Sequence, residues 1–273
     1  MNTLTDSIAA AVAQLPVTSL EDVASVQLMR RFDTKYVVPD SWLPELVMKM
    51  APEAHLLEIN GTLECCYDNL YFELPGDQFL QDHLRGKARR MKVRKRRYDS
   101  NGKVFLEVKE RLPGGRTIKN RIQTSNGLNP EFNAEEMAFL QGHLKDPTAL
   151  TPRLTGAFMR TTMVDFKRRE RVTVDRQLSA ALFGAQAAPM LQGLAVIEVK
   201  QPRPDRYSPI QLWLRSRKER KGLIGRKTRV SKYTTARLSH DGNLTGRTYL
   251  ATYRRLQEAS SWAEDLQART AHD

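Results

Sequence analysis

The nine residues from Arg90 to Tyr98, RMKVRKRRY, decide how the chain is read. With the two-residue period of a β-strand, Arg90, Lys92, Arg94 and Arg96 share one face, and Tyr98 follows on it. Met91, Val93, Lys95 and Arg97 share the other. A half-buried strand normally alternates apolar and polar residues, the apolar side toward the core. A row of four cations gains nothing from an apolar core and repels itself. It belongs on a solvated face or against a polyanion.

The flanking sequence repeats the pattern. Asn101-Gly102, preceded by Asp99-Ser100, marks a hairpin turn, and Pro113-Gly114-Gly115 marks a second. Between and beyond them, KVFLEVKER (103–111) and RTIKNRIQT (116–124) complete an antiparallel meander. In 103–111, Phe105, Glu107, Lys109 and Arg111 oppose Val104, Leu106 and Val108. In 116–124, Thr117, Lys119 and Arg121 oppose Ile118, Asn120 and Ile122.

Working outward, further strands are expected at RRFDTKYVVP (30–39), HLLEI (55–59), ECCYDNLYFE (64–73), 153–166 with Phe158 and Arg160, RVTVD (171–175) and GLAVIEVKQ (193–201). The first sets Arg31, Asp33 and Lys35 against Phe32, Thr34 and Tyr36. RVTVD sets Arg171, Thr173 and Asp175 against Val172 and Val174, and GLAVIEVKQ sets Val196, Glu198 and Lys200 against Ile197 and Val199. Helices are expected at 4–14, from Ser19 to about Met29, at 40–50, 76–86, 132–144 with Asn133 as cap, 209–220, from 231 to 238, and 246–268. No internal repeat or linker interrupts the chain, so it reads as one α+β domain over 1–273. Its N-terminal segment, 1–29, is helical, and the C-terminal helix 246–268 packs on it.

Lys and Arg number 44 against 31 Asp and Glu, and that excess of +13 calls for an anionic partner. Hydrophobic content of 40% supports a sizeable core. The only cysteines, Cys65 and Cys66, are adjacent and the histidines are scattered, which argues against a disulfide framework and a zinc site. The N-terminus lacks the features of a signal peptide and no run approaches the ~20 apolar residues of a membrane span, so a cytoplasmic setting is expected. Aromatic residues are 7% and build no stacking platform among the basic motifs, so nucleic acid is not the expected partner.

Two architectures accommodate these faces. One is an open sheet with a wet, charged side and an apolar side under helices. The other is a closed barrel with apolar faces outward and cations lining the interior. An empty basic interior costs free energy through repulsion and desolvation, which bound phosphates relieve. Interior acids then either pair with Lys and Arg or hold a divalent metal.

The motifs resemble the VTC domain, the catalytic domain of vacuolar-transporter-chaperone polyphosphate polymerases and of stand-alone bacterial relatives, within the triphosphate tunnel metalloenzymes. The resemblance covers about residues 30 to 240. It rests on RFDTKY with Lys35, LYFE at 70–73, RMKVRKRRY, FLEVKE, Lys119 and Arg121 as K-x-R, Arg160, RVTVD, IEVK with Glu198 and Lys200, and SKY at Ser231, Lys232 and Tyr233. It implies a closed antiparallel β-barrel, a triphosphate tunnel, with surrounding helices. The implied reaction moves the γ-phosphoryl group of ATP onto a growing polyphosphate and releases ADP, with Mn²⁺ or Mg²⁺. Carried over by motif, Lys35, Arg94, Arg96, Lys109, Lys119, Arg160, Arg171, Lys200 and Lys232 grip phosphates, and Ser231 hydrogen-bonds one. Glu198, with Glu107 second, holds the metal.

Phe158 stands where the family usually has Tyr, and Glu73 where it has Asp. ATP and inorganic polyphosphate or triphosphate are the implied partners, and a membrane partner is left open. Plainer readings stand beside these. Glu198 pairs with Lys200, Glu107 is a structural salt-bridge partner, Asp175 orients Arg171, and Tyr67, Tyr71 and Phe72 are packing residues. The basic run 215–229 is solvated surface. Two other functions share the charge pattern. One is an inorganic or nucleoside triphosphatase, although RFDTK offers only Asp33 where the cousin CYTH enzymes carry paired glutamates. The other is a non-catalytic polyanion binder.

Overall fold

The structure is a computed structural model that describes residues 3–24, 32–217, 222–241 and 247–270. The end of the second expected helix, Arg31, and residues 218–221 of the basic run lie outside the described residues. Eleven strands are present among the described residues: β1 (Val17–Thr18), β2 (Phe32–Pro39), β3 (His55–Leu57), β4 (Glu64–Glu73), β5 (Arg90–Tyr98), β6 (Val104–Arg111), β7 (Thr117–Thr124), β8 (Thr151–Asp165), β9 (Glu170–Leu182), β10 (Ala188–Pro189) and β11 (Leu194–Gln201). The helices are α1 (Thr3–Val12), α2 (Leu20–Ala24), α3 (Leu43–Met50), α4 (Gln78–Leu84), α5 (Ala134–Gln141), α6 (Pro209–Ser216), α7 (Lys232–His240) and α8 (Arg247–Thr270). No described helix is long and apolar enough to cross a membrane.

The main sheet runs β2-β11-β9-β8-β4-β5-β6-β7, every neighbour antiparallel. The closed barrel is not what these hydrogen bonds make. Among the described residues the path ends at β2 and β7, which do not pair. The outer edge of β2 is already taken: Gly225 N–H donates to the Val37 carbonyl and Thr228 N–H to the Lys35 carbonyl, both at 2.9 Å. The sheet still curls far round, as twisted antiparallel sheets do. Lys109, on the seventh strand of the path, lies within electrostatic reach of Lys35 on the first and Glu198 on the second.

The alternation seen in the sequence becomes two faces. On the outer face, Tyr36, Val38, Val172, Val174, Ile197 and Val199 pack under α1, α3, α6 and α8. Further along the same face, Leu70, Phe72, Val93, Leu106 and Val108 pack with Leu140 of α5. One lysine departs from the apolar expectation there. Lys95 is fully buried on the outer face, its ammonium paired with Glu136 at 2.8 Å and donating to the carbonyls of Asn129 and Glu131. Glu136 is also the third residue of an Asn133 capping box that starts α5. On the inner, concave face, Val37, Leu154 and Val196 pack with residues of α4, α7 and α8, which fill part of the hollow. The remainder of that face is charged.

Candidate functional site

Strand register puts the site together. Arg94 stands opposite Glu107, and Glu107 opposite Arg121. Arg160 stands opposite Asp175, Lys35 opposite Glu198, and Lys200 opposite Arg171. All of these positions have the inner parity.

The charges are grouped around three carboxylates. Glu107, almost without solvent exposure, takes Arg94 Nη2 at 2.6 Å and pairs with Lys119 on its other oxygen. Burial alone would raise its pKa, but Arg94, Arg96 and Lys119 outweigh that and hold it well below the usual carboxylate range. Asp175 accepts from Arg160 at 2.5 and 2.7 Å and also pairs with Lys232. Burial opposes its ionisation, yet Arg160 and Lys232 hold it low as well. Glu198 accepts from Lys200 Nζ at 2.6 Å, and Lys200 and Lys35 overcome burial to keep it ionised. So Asp175 clamps Arg160 and Lys232, where the sequence suggested Arg171. The basic interior is threaded with its own counter-charges.

Burial shifts the lysines the opposite way. Lys119 and Lys232 are pushed down to about 8, burial leading and their acid partners opposing. Lys109 is pushed down to about 8 by burial and then by Lys35, with Glu198 opposing. Lys92 goes well below the usual lysine range through burial and then Lys109, Lys35 and Arg94. Its ammonium donates to Ser231 Oγ at 2.8 Å. His83 of α4 records the same field: burial first, then Lys92, Arg90, Lys35 and Arg111, press its pKa down to about 2. Lys35 itself donates to the Val230 carbonyl at 3.3 Å. Ser231 acts as the N-cap of α7, its hydroxyl accepting from Thr234 N–H as well as from Lys92.

Aromatic rings line the same face. Tyr67 and Phe158 stack at 5.2 Å, and the guanidinium groups of Arg96 and Arg160 lie 5.0 to 5.6 Å from both rings. The Lys232 ammonium lies 4.6 Å from Phe158. Phe158 thus offers three cations a ring face in place of a hydroxyl. Arg96 is 7% exposed and donates to Asn69 Oδ1 at 2.8 Å. Tyr71 hydroxyl accepts from Arg94 at 3.3 Å, so Tyr67 and Tyr71 are part of the charged face as well as packing, while Phe72 is core.

No cluster of three His, Cys, Asp or Glu side chains suited to a metal occurs among the described residues. A Mg²⁺-like ion needs only one or two carboxylates when phosphates and water complete its shell. Glu198 meets that demand. Opposite it on β9 stands Thr173, whose buried hydroxyl has no hydrogen-bond partner among the described residues. Two oxygen donors, one ionised and one unsatisfied, fit a hard divalent cation. Glu107, with both oxygens committed to Arg94 and Lys119, fits it poorly.

Sequence reasoning put Lys92 on the face of Arg94 but did not count it among the residues that grip phosphates. It missed Asn69, gave Thr173 a face but no role, and missed the anchor beneath Tyr233. Strand parity could have flagged Asn69, which stands opposite Arg96. No local signal marks the anchor, because residue 233 lies far along the chain from residues 73, 79 and 80.

The VTC domain family matches this chain over residues 30–240. No match was found among curated proteins. Among solved structures, a Hippeastrum protein described as a candidate adenylyl cyclase with a dominant triphosphatase activity is 14% identical, aligned over 77% of this chain and 97% of that one, with a TM-score of 0.44. A candidate adenylate cyclase of Bacillus halodurans is also 14% identical, over 66% and 84%, with a TM-score of 0.43. A Pyrococcus horikoshii protein is 14% identical, over 65% and 80%, with a TM-score of 0.36. Likenesses at this level carry no weight in the assignment, which rests on the family match across most of the sequence: the chain belongs to the VTC domain family.

Proposed function

We propose that the chain is a metal-dependent phosphotransferase that moves the γ-phosphoryl group of ATP onto the end of a polyphosphate chain. The observation that carries this reading is the concave face of a VTC domain on which Lys35, Lys92, Arg94, Lys109, Lys119, Arg160, Lys200 and Lys232 converge with three carboxylates interleaved. Linked phosphates suit such a face. Phosphates share the cations that the carboxylates hold and add counter-charge for Lys92 and Lys109, whose charged forms burial and neighbouring cations disfavour.

Phosphoryl transfer asks the protein for alignment and charge stabilisation more than for covalent help. Arg94, Lys119, Arg160 and Lys232 grip non-bridging oxygens, and Lys200 and Lys35 keep Glu198 ionised. A terminal oxygen of the polyphosphate attacks the γ-phosphorus, the bond to the β-phosphate oxygen breaks, and ADP leaves. A divalent ion, when held by Glu198 with Thr173 beside it, neutralises charge on the phosphates. No side-chain nucleophile is required.

The test is incubation of the purified protein with ATP and Mn²⁺, with products resolved on a gel. Long phosphate chains are expected. Orthophosphate without chains would make the protein a hydrolase, and bound ATP without turnover would make it a binder.

A further inference from the structure

The buried carboxylate of Glu73 sits outside the charged face, yet it holds the element that reaches into it. Glu73 ends β4 and has no solvent exposure. Its Oε2 accepts from Phe79 N–H at 2.8 Å, and its Oε1 accepts from Leu80 N–H at 2.9 Å and from the Tyr233 hydroxyl at 2.5 Å. Arg237, one turn along α7, donates to the same hydroxyl at 3.2 Å and grips Asp77 at 3.1 and 2.6 Å. The Tyr233 ring lies 4.8 Å from Tyr71 of β4, and the hydroxyl of Tyr249 in α8 accepts from Ser231 N–H at 2.7 Å.

A buried carboxylate is tolerated only where fixed donors replace its water, and such a network, once complete, admits one arrangement. Here the donors belong to different parts of the chain. Two are backbone N–H groups of α4, and the third is a side chain of α7. The segment so fixed begins with Ser231 and Lys232, which meet Lys92 and Asp175 on the charged face. A shift of α7 by an ångström would carry the Lys232 ammonium with it, and displacements of that size are costly at a site that works by alignment.

We infer that Glu73 and Tyr233 are positioning residues, which hold α7 so that Lys232 meets a phosphate on the charged face. The inference rests on reading that face as a phosphate site, and it is tested by binding, independently of turnover.

The experiment is a double-mutant cycle on the full chain, with inorganic tripolyphosphate as the probe and calorimetry as the readout. Glu73→Gln sets an amide N–H₂ against a backbone N–H whichever way the amide turns, because Phe79 and Leu80 donate to opposite oxygens. It is expected to weaken tripolyphosphate binding about tenfold while the far-ultraviolet spectrum and cooperative melting persist. In a Lys232→Ala background the same change is expected to cost less than about twofold, because the group it positions is gone. Tyr233→Phe, which keeps the ring and removes only the hydroxyl, runs the same cycle and replaces Glu73→Gln should that variant not fold. An undiminished tenfold loss in the Lys232→Ala background would make the network a general brace and overturn the inference. So would unchanged binding by both single variants. If the unaltered protein fails to bind tripolyphosphate, the phosphate reading itself falls and this inference with it. If it binds and the cycle is additive, only the positioning role falls.

Discussion

Glu198 and Glu107 have the same side chain on the same face, and their neighbours divide their roles. Both oxygens of Glu107 are taken by Arg94 and Lys119, whereas Glu198 gives one oxygen to Lys200 and stands opposite the unsatisfied hydroxyl of Thr173. Glu198→Gln keeps an acceptor for Lys200 but removes the charge that a divalent ion requires. Metal-dependent turnover should fall by about a hundredfold or more, with tripolyphosphate binding in chelator retained. An unaltered rate at saturating Mn²⁺ would take Glu198 out of the metal site. At this scale the sequence was legible for face and only in part for partner: the pairing of Glu198 with Lys200 was readable two residues apart, that of Asp175 was not. Arg160, Arg171 and Asp175 could be placed on one side of the sheet by counting. That Asp175 takes Arg160 and Lys232 depends on the β8–β9 register and on the approach of α7, and no local pattern encodes either.

Among the elements, β5 shows both sides of the two-residue rule. Its inner residues join the charged face as their parity requires. Its outer face carries Lys95 into a fully buried position, where Glu136 and two carbonyls of the loop before α5 surround the ammonium. From the sequence Lys95 looked like one more cation in a basic run; only the return of residues 129–136 across the outer face makes it a core residue. Lys95→Met would leave Glu136 charged and without its main partner, at a cost of about 3–5 kcal/mol. Urea denaturation should show this as a lower midpoint with little change in slope. Adding Glu136→Gln should recover part of the loss. A destabilisation below about 1 kcal/mol for Lys95→Met alone would mean the pair is not an anchor.

For the whole molecule, the burial of lysines among other cations predicts an unusual response to pH. Lys109, Lys119 and Lys232 have pKa values of about 8 in the fold, against 10.5 for an ordinary lysine. Between about pH 8 and 9.5 the unfolded chain therefore retains protons that the folded chain has released. More protons on the unfolded side means that stability rises with pH. The melting temperature without added phosphate should climb across this interval, while tripolyphosphate affinity should drop, because the ligand needs the charged lysines. A melting temperature that falls steadily over the same range would contradict the assigned burial of these lysines. Strand positions and the split into two faces were readable from alternation and turn residues. Whether the last strand bonds back to the first was not, since that depends on what else reaches the edge of β2, and residues 224–228 reach it.

Those two terminal strands meet different fates, with a consequence for how the molecule behaves among its own copies. A bare strand edge invites an extended segment of another chain to zip onto it, the first event in many aggregates. On β2 that invitation is withdrawn by backbone already bonded in place. On β7 the side chains do not guard the edge: Lys119 is held by Glu107 and Arg121 lies over the Phe105 ring, both turned to the inner face. Pairing of copies through the sheet is therefore expected at β7 and not at β2.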